Sequence, residues 1–104
     1  MEIVLIDTFV VPKDALPEFM DAVRTTTPFL RSLPGFVEGY IFQSVDDSGR
    51  YNVATTAVWA NEQAYQAAKA AAQQEYQRIG FNPGEVIKRL GVEMERGVFN
   101  RTPY

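Results

Sequence analysis

Apolar residues fill both side-chain rows of the first segment. Ile3, Leu5, Phe9 and Val11 fall in one row, Val4, Ile6 and Val10 in the other, and Pro12 closes the run. Branched and aromatic residues at that density predict a strand over Glu2 to Val11. The period then changes. Leu16, Phe19, Met20, Val23, Thr27 and Leu30 recur at helical spacing, with Asp14 as the expected cap and Pro17 in the first turn, where its missing N–H costs little. Pro28 removes the bond to the carbonyl of Arg24 and is expected to kink or end this helix, which the run Thr25-Thr26-Thr27 weakens further. Pro34-Gly35 turns the chain into a second strand, Phe36 to Val45. Asp46-Asp47-Ser48-Gly49 reads as a hairpin loop, so the third strand, Arg50 to Ala60, pairs antiparallel with the second. Asn61 is placed to cap a second helix, with Glu62 near its positive end, Tyr65, Ala68, Ala72, Tyr76 and Ile79 along one face, and Gly80 as its stop. A short turn or helix from Asn82 through Leu90 leads into a last strand, Gly91 to Phe99, and the tail Asn100 to Tyr104 is irregular.

The order is β-α-β-β-α-β, an α+β ferredoxin-like arrangement in one domain spanning residues 1–104, with both helices on one face of an antiparallel sheet. Such a sheet normally leaves its other face to water and alternates apolar with polar residues. The first strand does not alternate, and the second repeats the pattern, with Phe36, Tyr40 and Phe42 against Val37, Ile41 and Val45. Two apolar faces need two covers, and the helices supply one. The expected second cover is the same face of another copy, a homodimer with sheet packed on sheet.

Composition then restricts the chemistry. A chain of 104 residues with 46% apolar and 22% charged residues is globular and holds a single core. It has no cysteine and no histidine, so disulfides, thiol chemistry, imidazole bases and the commonest zinc ligand are all absent. No metal-ligand spacing is present. A net charge of -3 without a basic cluster argues against nucleic acid and against an anionic membrane surface. The apolar start carries Glu2 and Asp7, lacks a basic leader and is too short to span a bilayer, so a soluble cytoplasmic protein is expected.

Three residues stand out as candidate chemistry. Trp59, the one indole, closes the third strand, and Tyr65 follows just inside a helix rich in alanine and glutamine. The pair is either a core contact or the polar end of a ligand pocket, because Ala68 and Ala72 beside it leave a cavity or a close helix–sheet contact. Asp7 lies in the row of Leu5 and Phe9, in apolar surroundings. It is either a general base or a carboxylate satisfied by the backbone or by an arginine such as Arg24 or Arg96. Arg24 is placed to contact an anionic substrate or to sit on a solvated helix face. Thr27 and its neighbours line a pocket mouth or accommodate the Pro28 kink.

The Pro34-Gly35-Phe36 turn, the passage VWANEQAYQA and the β-α-β-β-α-β order resemble the antibiotic-biosynthesis monooxygenase family of dimeric α/β barrels, over roughly Ile3 to Phe99. The resemblance implies oxidation of a phenol, anthrone or hydroquinone to a quinone by O2, with no cofactor and with a small aromatic substrate as partner. Other members act on quinols or degrade haem. On this likeness Trp59 matches the family's cavity tryptophan at the strand end, and Tyr65 falls where the polyketide oxygenases carry a cavity tyrosine. Asp7 lies near a position where haem degraders carry asparagine, and Thr55 stands where the oxygenases carry one. Trp59, Tyr65 and Asp7 are thus the expected catalytic residues. Phe9, Phe19, Val23, Arg24, Thr27, Phe36, Tyr40 and Thr55 are the expected substrate contacts. Two other classes stay open: a non-catalytic barrel that binds a small hydrophobic ligand, and an isomerase or dehydratase working through one acid-base residue.

Overall fold

The computed structural model describes all 104 residues. Four strands, β1 (Ile3–Val10), β2 (Phe36–Gln43), β3 (Val53–Trp59) and β4 (Glu93–Phe99), form one antiparallel sheet in the order β2-β3-β1-β4. Helices α1 (Leu16–Arg31), α2 (Glu62–Ile79) and the short α3 (Pro83–Leu90) connect them, which is the expected ferredoxin-like α+β fold. The molecule measures 41 × 37 × 18 Å, and its thin dimension has room for one sheet and one helical layer. The sheet's second face therefore has no cover from its own chain except the tail.

Helix α2 begins and ends as its sequence dictates. The Asn61 side chain accepts a hydrogen bond from Ala64 N, and Gly80 closes the helix with φ 72°. Asn82 and Gly91 repeat the same device around α3. Helix α1 departs from expectation at both ends. Asp14 lies in a single 3-10 turn, Lys13–Ala15, and the residue before the helix is Ala15, which offers no side-chain cap. Pro17 does occupy the first turn.

Pro28 does not end α1, which continues to Arg31. The three threonines explain how the helix tolerates it. Thr25 Oγ1 donates to the Asp21 carbonyl at 2.8 Å, and Thr27 Oγ1 donates to Val23 at 2.7 Å. Thr26 Oγ1 donates to the carbonyls of Ala22 and Val23. Hydroxyls bonded back onto the preceding turn satisfy carbonyls around the one that Pro28 leaves free. The triplet read as weakening the helix also serves it.

The hairpin between β2 and β3 is longer than expected, because β2 stops at Gln43 and β3 begins at Val53. Asn52 fastens its root. The side-chain amide accepts from Val11 N at 2.9 Å and donates to Val11 O at 2.8 Å, mimicking a backbone pairing. Ser44 N also donates to Asn52 O across the base of the loop.

Register decides what the sheet shows the helices. Ile3 pairs with Trp59, Leu5 with Ala57, Asp7 with Thr55 and Phe9 with Val53, so these eight residues share one face. Their two ends belong to separate buried clusters. Phe9 and Val53 join Val11, Phe19, Met20 and Val92 at one end, with Phe9 and Phe19 edge to face at 5.0 Å. Ile3 and Trp59 join Tyr65 and Ala68 at the other.

Candidate functional site

Between the two clusters the side chains are small. On the sheet the middle positions are Thr55, Ala57 and Gly39; facing them are Ala22 and Thr26 from α1 and Ala68 and Ala72 from α2. Small residues on both layers cannot meet, and a cavity of about 790 Å³ remains between helices and sheet. That volume falls within the roughly 300–1,000 Å³ typical of small-molecule pockets. The space beside the alanines is open rather than filled.

Trp59 forms one wall. It is 2% exposed, and Phe36 packs edge-on against it with ring centroids 5.3 Å apart. Tyr65, 7% exposed, completes the same cluster from the first turns of α2, where Asn61 fixes the helix start. Every fully buried side-chain nitrogen and oxygen in the chain has a partner. The Trp59 indole N–H and the Tyr65 hydroxyl make no hydrogen bond within the protein, so these two polar atoms are not fully buried although their residues are, and both side chains line the cavity. Their donor capacity is therefore free there.

Asp7 lies on the cavity floor and is bound by Arg96 from the directly opposed position of β4. Arg96 Nε donates to Oδ1 at 2.8 Å and Nη2 to Oδ2 at 2.9 Å, a bidentate pair. Of the two readings of Asp7, the structure has the arginine-paired one. The carboxylate keeps unused lone pairs, since each oxygen can accept twice. The hydrogen bonds to Asp7 hold the Arg96 guanidinium above its usual range, with partial burial opposing them.

Phe9, Phe19, Val23, Thr27, Phe36 and Thr55 all line the cavity. Tyr40 borders it as well, but its ring lies 6.1 Å from that of Phe42, on the face away from the helices. Arg24 is a correction: it is exposed on α1 and takes no part in the wall. The cations that do are Arg31, one helical heptad further on, Lys69 and Arg96. Lys69 was missed, although it falls four residues after Tyr65 on the same helix face.

Tyr76 was also missed as a site residue, although its spacing from Tyr65 placed it on the same face of α2. It is half-buried against the cavity, and burial pushes its phenol above the ordinary range, partly offset by the Thr26 hydroxyl and the Arg96 charge. No group of three or more acidic, histidine or cysteine side chains converges anywhere in the chain. No helix is long and apolar enough to cross a membrane.

A four-stranded antiparallel sheet with two long helices on one face and an aromatic-walled cavity between them makes a small α+β domain with an open interior space. Residues 2–78 match the profile of the antibiotic biosynthesis monooxygenase family, and the chain belongs to it. No curated protein matches the chain by sequence. Among solved structures it is similar to a proposed monooxygenase from Shewanella loihica PV-4 (22% identity, TM-score 0.74, 99% of this chain and 96% of that one). It is similar also to SnoaB, a cofactor-independent oxygenase from Streptomyces nogalater (23%, 0.72, 99% and 95%). A haem-degrading protein from Mycobacterium tuberculosis shares less of the fold (23%, 0.58, 66% and 78%).

Proposed function

We propose that the protein is a cofactor-independent monooxygenase that converts an aromatic phenol, anthrone or hydroquinone to a quinone with O2, and that it works as a homodimer. One observation carries the reading: an apolar cavity of ligand size with two unpaired donors, the Trp59 indole and the Tyr65 hydroxyl, on its wall. The resemblance to SnoaB supports it.

For an anthrone, the net reaction turns a ring CH2 and O2 into a ring carbonyl and water. A free lone pair of Asp7 accepts the first proton. The resulting anion passes one electron to O2, and the radical pair joins as a carbon-bound peroxide. That peroxide takes the proton back from Asp7; loss of the second ring proton then breaks the O–O bond and releases water. Trp59 and Tyr65 donate to the oxygen on which negative charge develops, and donors fixed in a dry site gain most from that geometry. The apolar walls, aromatic at Phe9, Phe19 and Phe36 and aliphatic at Val23, orient the rings, Thr27 and Thr55 adding polar edges. The chain has no histidine or cysteine to ligate haem.

The dimer is supported by the bare sheet face, where Ile6, Tyr40, Phe42 and Phe99 stand exposed. A ligand-binding role without turnover is favoured by one observation, the engagement of both Asp7 oxygens by Arg96. A single assay separates the two readings. An air-saturated anthrone or hydroquinone is mixed with the protein and quinone absorbance is followed; Trp59→Phe and Tyr65→Phe are each expected to lower the rate about 100-fold. A rate at the uncatalysed background, or one indifferent to both substitutions, defeats the oxygenase reading.

A further inference from the structure

Cations are unevenly distributed over this acidic chain. Six of its ten Lys and Arg side chains are paired with carboxylates: Lys13, Arg50, Arg78, Arg89, Arg96 and Arg101. Four have no acidic partner, namely Arg24, Arg31, Lys69 and Lys88. Two of those four, Arg31 and Lys69, line the cavity. The charged groups on its wall are Asp7, Arg31, Lys69 and Arg96, so the lining carries a net positive charge in a protein whose total is -3.

Both unpaired cations stand at the Trp59 end. The Arg31 guanidinium lies 5.5 Å from the centroid of the Phe36 ring, which packs on Trp59, and the Lys69 ammonium lies 5.5 Å from that of Tyr65. Each is an exposed residue, so both sit at the rim rather than on the floor. Arg31 spends one N–H on the Gly39 carbonyl at 3.2 Å, which steadies the side chain across the opening. Its remaining donors are free. Stacking on aromatic faces orders such side chains without neutralising them.

We propose that Arg31 and Lys69 form an anion subsite at the cavity rim, and that the ligand is an aromatic carboxylate whose rings fill the apolar interior. Arg96 is excluded from this role because Asp7 already occupies its fork. A planar carboxylate suits the arginine fork, and the lysine adds a mobile point charge. The inference deepens the oxygenase reading by naming the substrate class, but its test does not depend on turnover.

Anthraquinone-2-carboxylate and anthraquinone-2-carboxamide share their rings and nearly their shape but differ in charge, the amide exchanging one acceptor oxygen for an N–H donor group, and calorimetric titration of each reads binding directly. The carboxylate is expected to bind about 10-fold tighter, the scale of two charge-assisted contacts at a solvated rim. Arg31→Gln and Lys69→Gln each reduce that preference and the double variant abolishes it, while helical circular dichroism and the thermal midpoint stay those of wild type, which shows that the fold is intact. Lys69→Arg retains the preference. Added salt weakens carboxylate binding and not carboxamide binding. Equal binding of the two compounds, binding of neither, or a preference that survives the double substitution overturns the inference. Carboxylate preference without quinone formation leaves the subsite standing and removes only the oxygenase.

Discussion

Arg96 and Asp7 are 89 residues apart in the chain and directly opposed across β4 and β1, where they form a bidentate ion pair. Their exposures differ: the Asp7 side chain is 11% exposed and that of Arg96 49%. The two ends of the pair therefore respond differently to loss of the partner. Arg96→Met leaves a carboxylate under the helices with no donor, at a cost of about 2–3 kcal/mol. Asp7→Asn leaves a guanidinium that water can reach, at about 1 kcal/mol. Urea unfolding of both variants checks the order; the reverse order contradicts this view of the pair.

Tyr76 links burial to alkaline stability. Its phenol is raised above the ordinary 10.0 in the fold, so the folded state holds that proton more tightly than the unfolded chain. The contribution is complete below pH 10 and is lost as pH rises through the folded value. Tyr76→Phe is expected to flatten the fall in unfolding free energy above pH 10, leaving the curve below that pH parallel to wild type. Ultraviolet titration of the tyrosines should lose a step above pH 10 in the same variant. A fall of equal slope in both proteins argues against the burial.

The open space beside Ala72 can be filled on purpose. Ala72→Phe places a ring in the cavity without displacing a packed neighbour, so thermal stability is expected to hold within about 1 kcal/mol. Binding of a neutral polycyclic ligand should weaken by at least about 10-fold, since each lost 1.4 kcal/mol is a decade. Strong destabilisation with unchanged binding would mean that the space is already occupied.

The bare sheet face gives a prediction about assembly. Wild-type protein is expected to sediment as a dimer at micromolar concentration. Ile6→Lys, in the middle of β1 and pointing away from the helices, places a charge at the centre of the interface. It should shift the dissociation constant upward by about 100-fold or more, the effect of an unpaired buried charge. The monomer so produced should keep its helical circular dichroism. A wild-type monomer at these concentrations removes the dimer from the proposal.

The element order was legible because its signals are local: Asn61 and Gly80 bracket α2, Pro34-Gly35 opens β2, and the period of apolar residues changes after Pro12. That Trp59 and Tyr65 meet was legible for the same reason, the two residues being close in the chain; whether they only pack or also line a cavity was not. What could not be read depends on distance. The pairing of Asp7 with Arg96 requires the β1–β4 register. The choice of Arg31 over Arg24 at the cavity depends on which long side chain finds the Gly39 carbonyl, since both flank the same face of α1. That α1 runs past Pro28 could not be read because the compensating bonds come from threonines, a residue type whose average tendency runs against helices.

Asn52 has a practical consequence. Because its amide fixes the root of the β2–β3 loop to Val11, the tip around Asp46-Asp47-Ser48-Gly49 is mechanically separate from the cavity wall. An insertion there, such as a peptide epitope or a fluorophore-labelled segment, adds loop length at little entropic cost and leaves the strand ends anchored. The hairpin is thus a graft site through which the protein can be tethered or tracked while its interior stays unaltered.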